Sequence, residues 1–251
     1  MGIKTHPRPD YAALARRHKN DSEFSFFEAS QANQKAIQSH ILEDKGPGEQ
    51  LAIKLSDATH AHASGFLEQV GRKLGTACEK GCSYCCHQPA TAFPFEALRI
   101  AGALKATRTK EQVEALQDKM RARVRDLKDS SVRKNMNNKT ACPLLSDENQ
   151  CSVYENRPLT CRMAHSFSVQ RCRQSFEKDR AKVQIPMSLQ LLTGISGIIE
   201  AAFEGLPKKR LDGNLYELCS SVLAALAHPE AAAQWAQGDP RVFKDCIKDD
   251  T

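Results

Sequence analysis

Cys78-Glu79-Lys80-Gly81-Cys82-Ser83-Tyr84-Cys85-Cys86-His87 places four cysteines between positions 78 and 86. Core packing does not explain that density, because buried cysteines scatter along the hydrophobic period. A metal centre explains it, since thiolates must converge to about 2.3 Å from an ion. Further along come Cys142-Pro143-Leu144-Leu145, then Cys151, then Arg157-Pro158-Leu159-Thr160-Cys161-Arg162, and finally Cys172. Eight of the 10 cysteines of the chain fall in this window.

Thiolate sulfur is soft and selects zinc, copper(I) or iron–sulfur clusters over hard ions. The candidate metal ligands are therefore Cys78, Cys82, Cys85, Cys86, Cys142, Cys151, Cys161 and Cys172. Cys78, Cys82 and Cys85 are spaced so that one loop can present three sulfurs, and Gly81 lets that loop turn tightly. Cys86 cannot duplicate Cys85, because successive side chains diverge. It faces a second metal, completes the site from another angle, or packs. Eight thiolates suffice for two four-sulfur sites. The count equally allows one cluster, or one site with spare cysteines.

A zinc ion bound by four thiolates carries a net charge of −2. Arg72, Lys73, Lys80, Arg157, Arg162, Arg171 and Arg173 could offset it. The plainer reading of Arg157 and Arg162 is surface pairing with Glu155 or Asp179. Tyr84 and His87 flank the sulfurs and read as packing before they read as ligands.

The rest of the 251-residue chain sets the frame. The hydrophobic fraction of 41% allows a substantial core, and the aromatic fraction of 6% with few β-branched runs disfavours an all-β fold. The net charge of +6 is spread along the chain and makes no clustered basic face, so nucleic acid is not an expected partner. No apolar run approaches the roughly 18 residues of a membrane span, so no membrane partner is expected. The N-terminus has no apolar signal region, and the reading is cytoplasmic. In a reducing compartment clustered cysteines bind metal or catalyse more often than they pair.

Helical signals run along the whole chain. Residues 8–45 read as polar helix, with Phe24, Phe26, Phe27, Ile37 and Ile41 available to pack. Gly46-Pro47-Gly48 breaks it. A second helix is expected from about Glu49 to Leu74, with a stripe of Leu51, Leu55, Ala58, Phe66, Val70 and Leu74 that Gly75 ends. His62 shares that stripe, as a core histidine or as a further ligand. Pro94 opens a third helix. The capping box from Thr109 to Gln112 opens a fourth that runs to about Lys128. Ser130–Thr140 reads as loop, and the second cysteine segment as irregular, with a strand or turn at Cys151–Tyr154. Helix returns from Pro186 and is ended by Gly205 and Pro207. It resumes over 214–227 around Cys219, read as a buried small hydrophobe, and over Pro229–Gln237 before Gly238. Cys246 reads as incidental. The expected fold is all-α, mainly helical, with a loop-built cysteine metal cluster between helices. The regions are 1–74, 75–175 and 176–251, joined in one compact domain.

The ordered motifs Cys-x3-Cys-x2-Cys-Cys, Cys-Pro-Leu-Leu, Cys-Ser-Val-Tyr-Glu-Asn-Arg-Pro and Cys161-Arg162 resemble the bacterial cysteine-cluster proteins of the YkgJ type. That group is described as zinc- or iron-chelating, and a flagellin lysine N-methylase belongs to it. The resemblance covers about Ala77 to Cys172. The family opening is Cys-x2-Cys-x2-Cys-Cys, and here one more residue separates Cys78 from Cys82. The run Cys78-x3-Cys82-x2-Cys85 is also similar to the loop of radical S-adenosylmethionine enzymes, which holds a 4Fe–4S cluster. Those enzymes build a βα barrel, for which this chain shows no alternating strands and helices.

The leading expectation is a protein that chelates zinc or iron, with a 4Fe–4S cluster as one form. One rival is an iron–sulfur, S-adenosylmethionine-dependent protein lysine methyltransferase with a protein substrate. The other is an interaction protein whose zinc is purely structural.

Overall fold

The computed structural model describes residues 31, 34–39, 41–42, 48–68, 74–79, 81–127 and 132–249. The expectations for residues 8–30, for the break at 46–47 and for Arg72, Lys73 and Lys80 lie outside the described residues. The chain is mostly helical, and its cysteine loops lie between helices.

Helix α1 (Gly48–Phe66) buries Ala52, Leu55, Ala63 and Phe66. Helix α2 (Pro94–Thr107) follows a two-residue strand, β1 (Thr91–Ala92). Pro94 suits the first turn, where its missing N–H is not needed. Helix α3 (Lys110–Asp126) opens on the expected capping box: Gln112 N–H donates to Thr109 Oγ1 at 3.3 Å and Thr109 N–H to Gln112 Oε1 at 3.0 Å. Its apolar stripe buries Leu116 and Met120.

Two short helices occupy the segment expected to be irregular. Helix α4 (Leu159–Met163) carries Cys161, and helix α5 (Val169–Glu177) carries Cys172. Neither is long enough to show a hydrophobic period, so both were hidden in the sequence. Helix α6 (Leu189–Lys208) runs through Gly205 and Pro207, which were expected to end it. Gly205 is instead a close approach, where a Cβ would lie 3.1 Å from Ile41 Cδ1. By length and composition α6 could cross a membrane, contrary to the sequence reading. Here it is a core helix that packs on α1 and α4.

Residues 214–217 are not helical. Tyr216–Glu217 form β2, which pairs antiparallel with β1 in the register Thr91↔Glu217 and Ala92↔Tyr216. Helix α7 (Leu218–Ala227) starts after Glu217, whose carboxylate accepts from Ser220 N–H at 2.7 Å. Helix α8 (Ala231–Ala236) is closed by Gly238 at φ +79°, as expected. The C-terminal stretch returns to β2: Glu217 N–H donates to Ile247 O at 2.7 Å, and Asp249 N–H to Leu215 O at 3.0 Å. Cys246 is therefore not incidental. It packs against the core, and its thiol donates to Ser220 O at 3.5 Å.

Helix α2 is the hub and packs on α1, α7 and α8. Its N-terminus holds the site together through Glu96, which is fully buried. Glu96 accepts from Phe93 N–H (3.0 Å) and from Leu159 N–H (2.8 Å), and His60 Nε2 lies 3.2 Å from it. The buried histidine of α1 is thus His60, while His62 is half-buried.

The α1–α6 contact is close at Gly194, where a Cβ would meet the Phe66 ring at 2.1 Å. Gly194→Ala should destabilise the protein by about 1–3 kcal/mol, because Phe66 must leave a packed position. Gly102 has open space at its Cβ site. Gly102→Ala in α2 should stabilise by about 0.5–1 kcal/mol. Urea unfolding of both variants, read as midpoint shifts of opposite sign, checks this pair.

Candidate metal centre

Four separate segments bring the window's cysteines together, each fixed by a few backbone bonds. Ala77 N–H donates to Ser166 O at 2.8 Å and pins the entry of the first loop. Gly81 has φ +91°, and Cys82 N–H closes a turn onto Glu79 O at 3.1 Å. A single 3₁₀ turn, Tyr84–His87, then presents Cys85 and Cys86. Cys142 N–H donates to Cys86 O at 2.8 Å, which ties the second cysteine segment to the first. Leu145 and Cys151 form an antiparallel bridge that folds 142–152 back on itself. Cys161 is held through its neighbours: Leu159 N–H on Glu96, and Thr160 Oγ1 donating to Thr91 O at 2.5 Å.

These segments surround one cleft of about 1350 Å³. Cys78, Cys82, Cys85, Cys86, Cys142, Cys151 and Cys161 line it. Cys172 does not, but lies close enough to Cys78 and Cys82 to repel their thiolates. All ten cysteines are free thiols. Among the described residues no group of three or more His, Cys, Asp or Glu side chains is already closed around a point. The sulfurs share a wall and would have to draw together onto an ion.

Burial and repulsion between thiolates disfavour the charged form of Cys78, Cys82, Cys85, Cys142, Cys151 and Cys161. Burial pushes Cys142 up to about 11 and also raises Cys78, Cys82 and Cys151. Cys161 is raised by burial and then by Cys142, Cys85 and Cys151. Cys85 is raised first by its hydrogen bond to the Cys86 thiol, then by burial. Solvent still reaches Cys85 through the cleft. A cation reverses this balance, because it binds thiolates and expels their protons.

The sign follows directly. Metal affinity should rise with pH, since protons compete for sulfur. The metal-free protein should behave oppositely. Cys142 keeps its proton to about 11 when folded, against an ordinary value of 9.0, so stability present below pH 9 is lost as pH rises through 11. Zinc titrations from about pH 6 to 8 in weak buffer should show tightening with pH and proton release on binding.

Arg157 and Arg180 are two cations within reach of the sulfurs, and Arg123 acts on Cys142. Arg157 favours the thiolate of Cys85 and of Cys151, and stacks 3.9 Å from the Tyr154 ring centre. Arg180 interacts with Cys85 and Cys172, and its Nη2 donates to Tyr84 O at 3.2 Å. The Nε of each is buried with no hydrogen-bond acceptor. Buried guanidinium N–H groups without acceptors suit a site that becomes anionic when thiolates form. Arg180 was missed in the sequence, since it lies eight residues beyond the last cysteine of the window. Arg162 lines the same cleft, but its donors are taken by protein acceptors. It donates to Glu155 O (2.6 Å), Arg157 O (3.0 Å) and Ser64 Oγ (3.1 Å), so it shapes the 155–158 loop. Arg171 and Arg173 bond Gln184 O and Glu177 on the surface.

The histidines stand aside. His87 Nδ1 donates to Ser83 O at 3.0 Å, and its ring packs 4.9 Å from that of Phe176, off the cleft wall. His62 is also off the wall. His165 lines the cleft, but Ser188 N–H donates to its Nε2 at 2.8 Å and its Nδ1 donates to Met163 O at 2.7 Å. Both its nitrogens are engaged with backbone.

The window's thiols therefore gather in one place: seven line the cleft, Cys172 lies near Cys78 and Cys82, and guanidinium groups stand behind them. Residues 77–183 match the family model CxxCxxCC, described as "Putative zinc- or iron-chelating domain". Neither the curated proteins nor the solved structures contain a match to the chain.

Proposed function

With residues 77–183 matching the CxxCxxCC family, we propose that this protein chelates zinc or iron through the thiolates of Cys78, Cys82, Cys85, Cys86, Cys142, Cys151, Cys161 and Cys172. One observation carries the reading: seven unpaired thiols from separate segments line a single cleft, with the buried, unpartnered Nε of Arg157 and Arg180 behind them. When bound, the metal supplies a positive charge that keeps the thiolates deprotonated. The chain's own part is to bring the sulfurs to one cleft and to offset the excess negative charge. The proposed compartment is the cytoplasm, where clustered cysteines bind metal more often than they pair.

Anaerobic purification followed by elemental analysis tests the proposal. At least one zinc or iron per chain is expected, with the window's cysteines shielded from alkylation and Cys246 unaffected by metal removal. Protein that holds no metal and binds none when zinc or ferrous iron is added would refute it. Strong visible absorption with iron and sulfide would identify an iron–sulfur cluster, and a colourless zinc protein would identify thiolate zinc.

A further inference from the structure

The last turn of α3 carries a buried cation, Arg123, with 3% of its surface exposed. Its hydrogen bonds go to neutral groups: Nη1 donates to Thr140 O at 2.8 Å and to Asn138 Oδ1 at 3.1 Å. Asn138 Oδ1 also accepts from Thr140 N–H at 2.9 Å, so one guanidinium nitrogen and one amide oxygen hold the bend at 138–140 against α3. Cys142 follows two residues later, and its N–H is bonded to Cys86 O at 2.8 Å. The clamp thus leads from α3 to both cysteine segments. The other terminal nitrogen, Nη2, is sealed from solvent and has no acceptor. A guanidinium in the interior is unfavourable unless an anion offsets it, and an unmet N–H adds to the penalty. Two acidic groups feel its charge. Glu217 is buried, and its carboxylate already caps α7 by accepting from Ser220 N–H at 2.7 Å. The other is Cys142, whose thiolate Arg123 favours.

We propose that Arg123 is a positioning residue of the metal centre: Nη1 fixes the segment that delivers Cys142, and Nη2 is a buried donor for the Cys142 sulfur when that sulfur is metal-bound. The role rests on the metal-chelating reading above, with Cys142 among the ligands. It accounts for both ends of the fork. The bonds of Nη1 hold the 138–140 bend whether or not metal is present. Nη2 completes its bonding only when an anion forms beside it, and thiolates form when metal binds. Hydrogen bonds and positive charge directed at a ligating atom orient it and tune its donation to the ion. Arginine suits the double duty because its rigid fork presents several donors at once, where lysine offers one nitrogen.

The test uses the full chain, reduced and anaerobic, with zinc affinity read by chelator competition and cobalt(II) as a spectroscopic probe. Arg123→Gln should weaken zinc binding by about 10–100-fold, the usual loss when a group that holds a ligand from behind is removed. It should also shift the sulfur-to-cobalt charge-transfer bands of the loaded protein, because the thiolate loses a donor and a neighbouring charge. Arg123→Lys, which keeps the charge, should recover part of both effects. Arg121→Gln is the control: Arg121 is exposed on the same helix and bonded to Asp118, and its loss should change neither readout. In the wild type with arginine labelled by nitrogen-15, zinc should shift the Arg123 Nη resonances; this readout needs no variant to fold. Wild-type affinity in Arg123→Gln, unshifted cobalt bands despite weaker binding, or unmoved Nη resonances would overturn the role. So would full recovery of affinity when Glu217→Gln is added to Arg123→Gln, since Glu217 would then be the partner of Arg123. Each of these leaves the chelating reading standing. No zinc bound by the wild type would overturn the chelating reading itself.

Discussion

Cys161→Ser is expected to lower the metal content and to lower the melting temperature by about 10–20 °C. Structural thiolate zinc contributes on the order of 10–16 kcal/mol of apparent folding free energy in small domains. Loss of one ligand that forfeits about 5 kcal/mol of it corresponds to that shift, at about 2–4 °C per kcal/mol for a chain of this size. The effect should be global, because the ligands at Cys86 and Cys142 close a long loop that contains the whole of α2 and α3. Cys142→Ser should cost about the same, and the double variant markedly less than the sum, since both weaken the same metal centre. Cys219→Ala is the control: Cys219 is buried in α7 beside Glu217, off the cleft wall. It should keep its metal and lose about 1 kcal/mol of packing. Thermal unfolding with parallel metal analysis reads all of these; equal melting points for Cys161→Ser and Cys219→Ala would contradict the account.

Glu96→Leu should be the most damaging change outside the cysteines, at about 3–5 kcal/mol. The carboxylate is wholly buried and serves Phe93 N–H, Leu159 N–H and His60 at once. Leucine would leave two backbone donors and an imidazole without an acceptor in the interior. Glu96→Gln keeps the shape and one acceptor oxygen, and should cost about 1–3 kcal/mol. Both variants release the start of α4, and Cys161 is its third residue. Metal retention should therefore fall with stability, and bound zinc should leave faster. Urea unfolding with zinc release kinetics checks this; a Glu96→Leu protein of wild-type stability would show that the three bonds contribute nothing.

The eight-cysteine window, the helical class and the capping box at Thr109 were all visible in the chain, because each depends on local chemistry. A capping box needs only residues three apart. A Gly at positive φ, as at Gly81 and Gly238, needs only its own backbone freedom. The periodic stripes of α3 and α6 were legible because each helix spans several turns, so its buried face repeats. The short helices α4 and α5 and the two-strand ladder have no room for a repeat, and tertiary contacts decide them.

The division of labour among charged groups was likewise beyond the sequence. Arg157 and Arg162 are equivalent as residues near Cys161, yet one faces the sulfurs and the other clamps three acceptors in the loop behind them. Arg180 becomes a neighbour of Cys85, 95 positions earlier, only because α5 packs on the 84–87 turn. Glu96 reads as a first-turn acid and proves to be the buried post between α2, α1 and α4. The sequence by itself determined that soft sulfur ligands are gathered in a helical protein, because residue type and spacing fix the donors. Which thiols share the cleft, which cation faces them and which carboxylate anchors them depend on distance, and distance between remote residues is settled only when the helices pack.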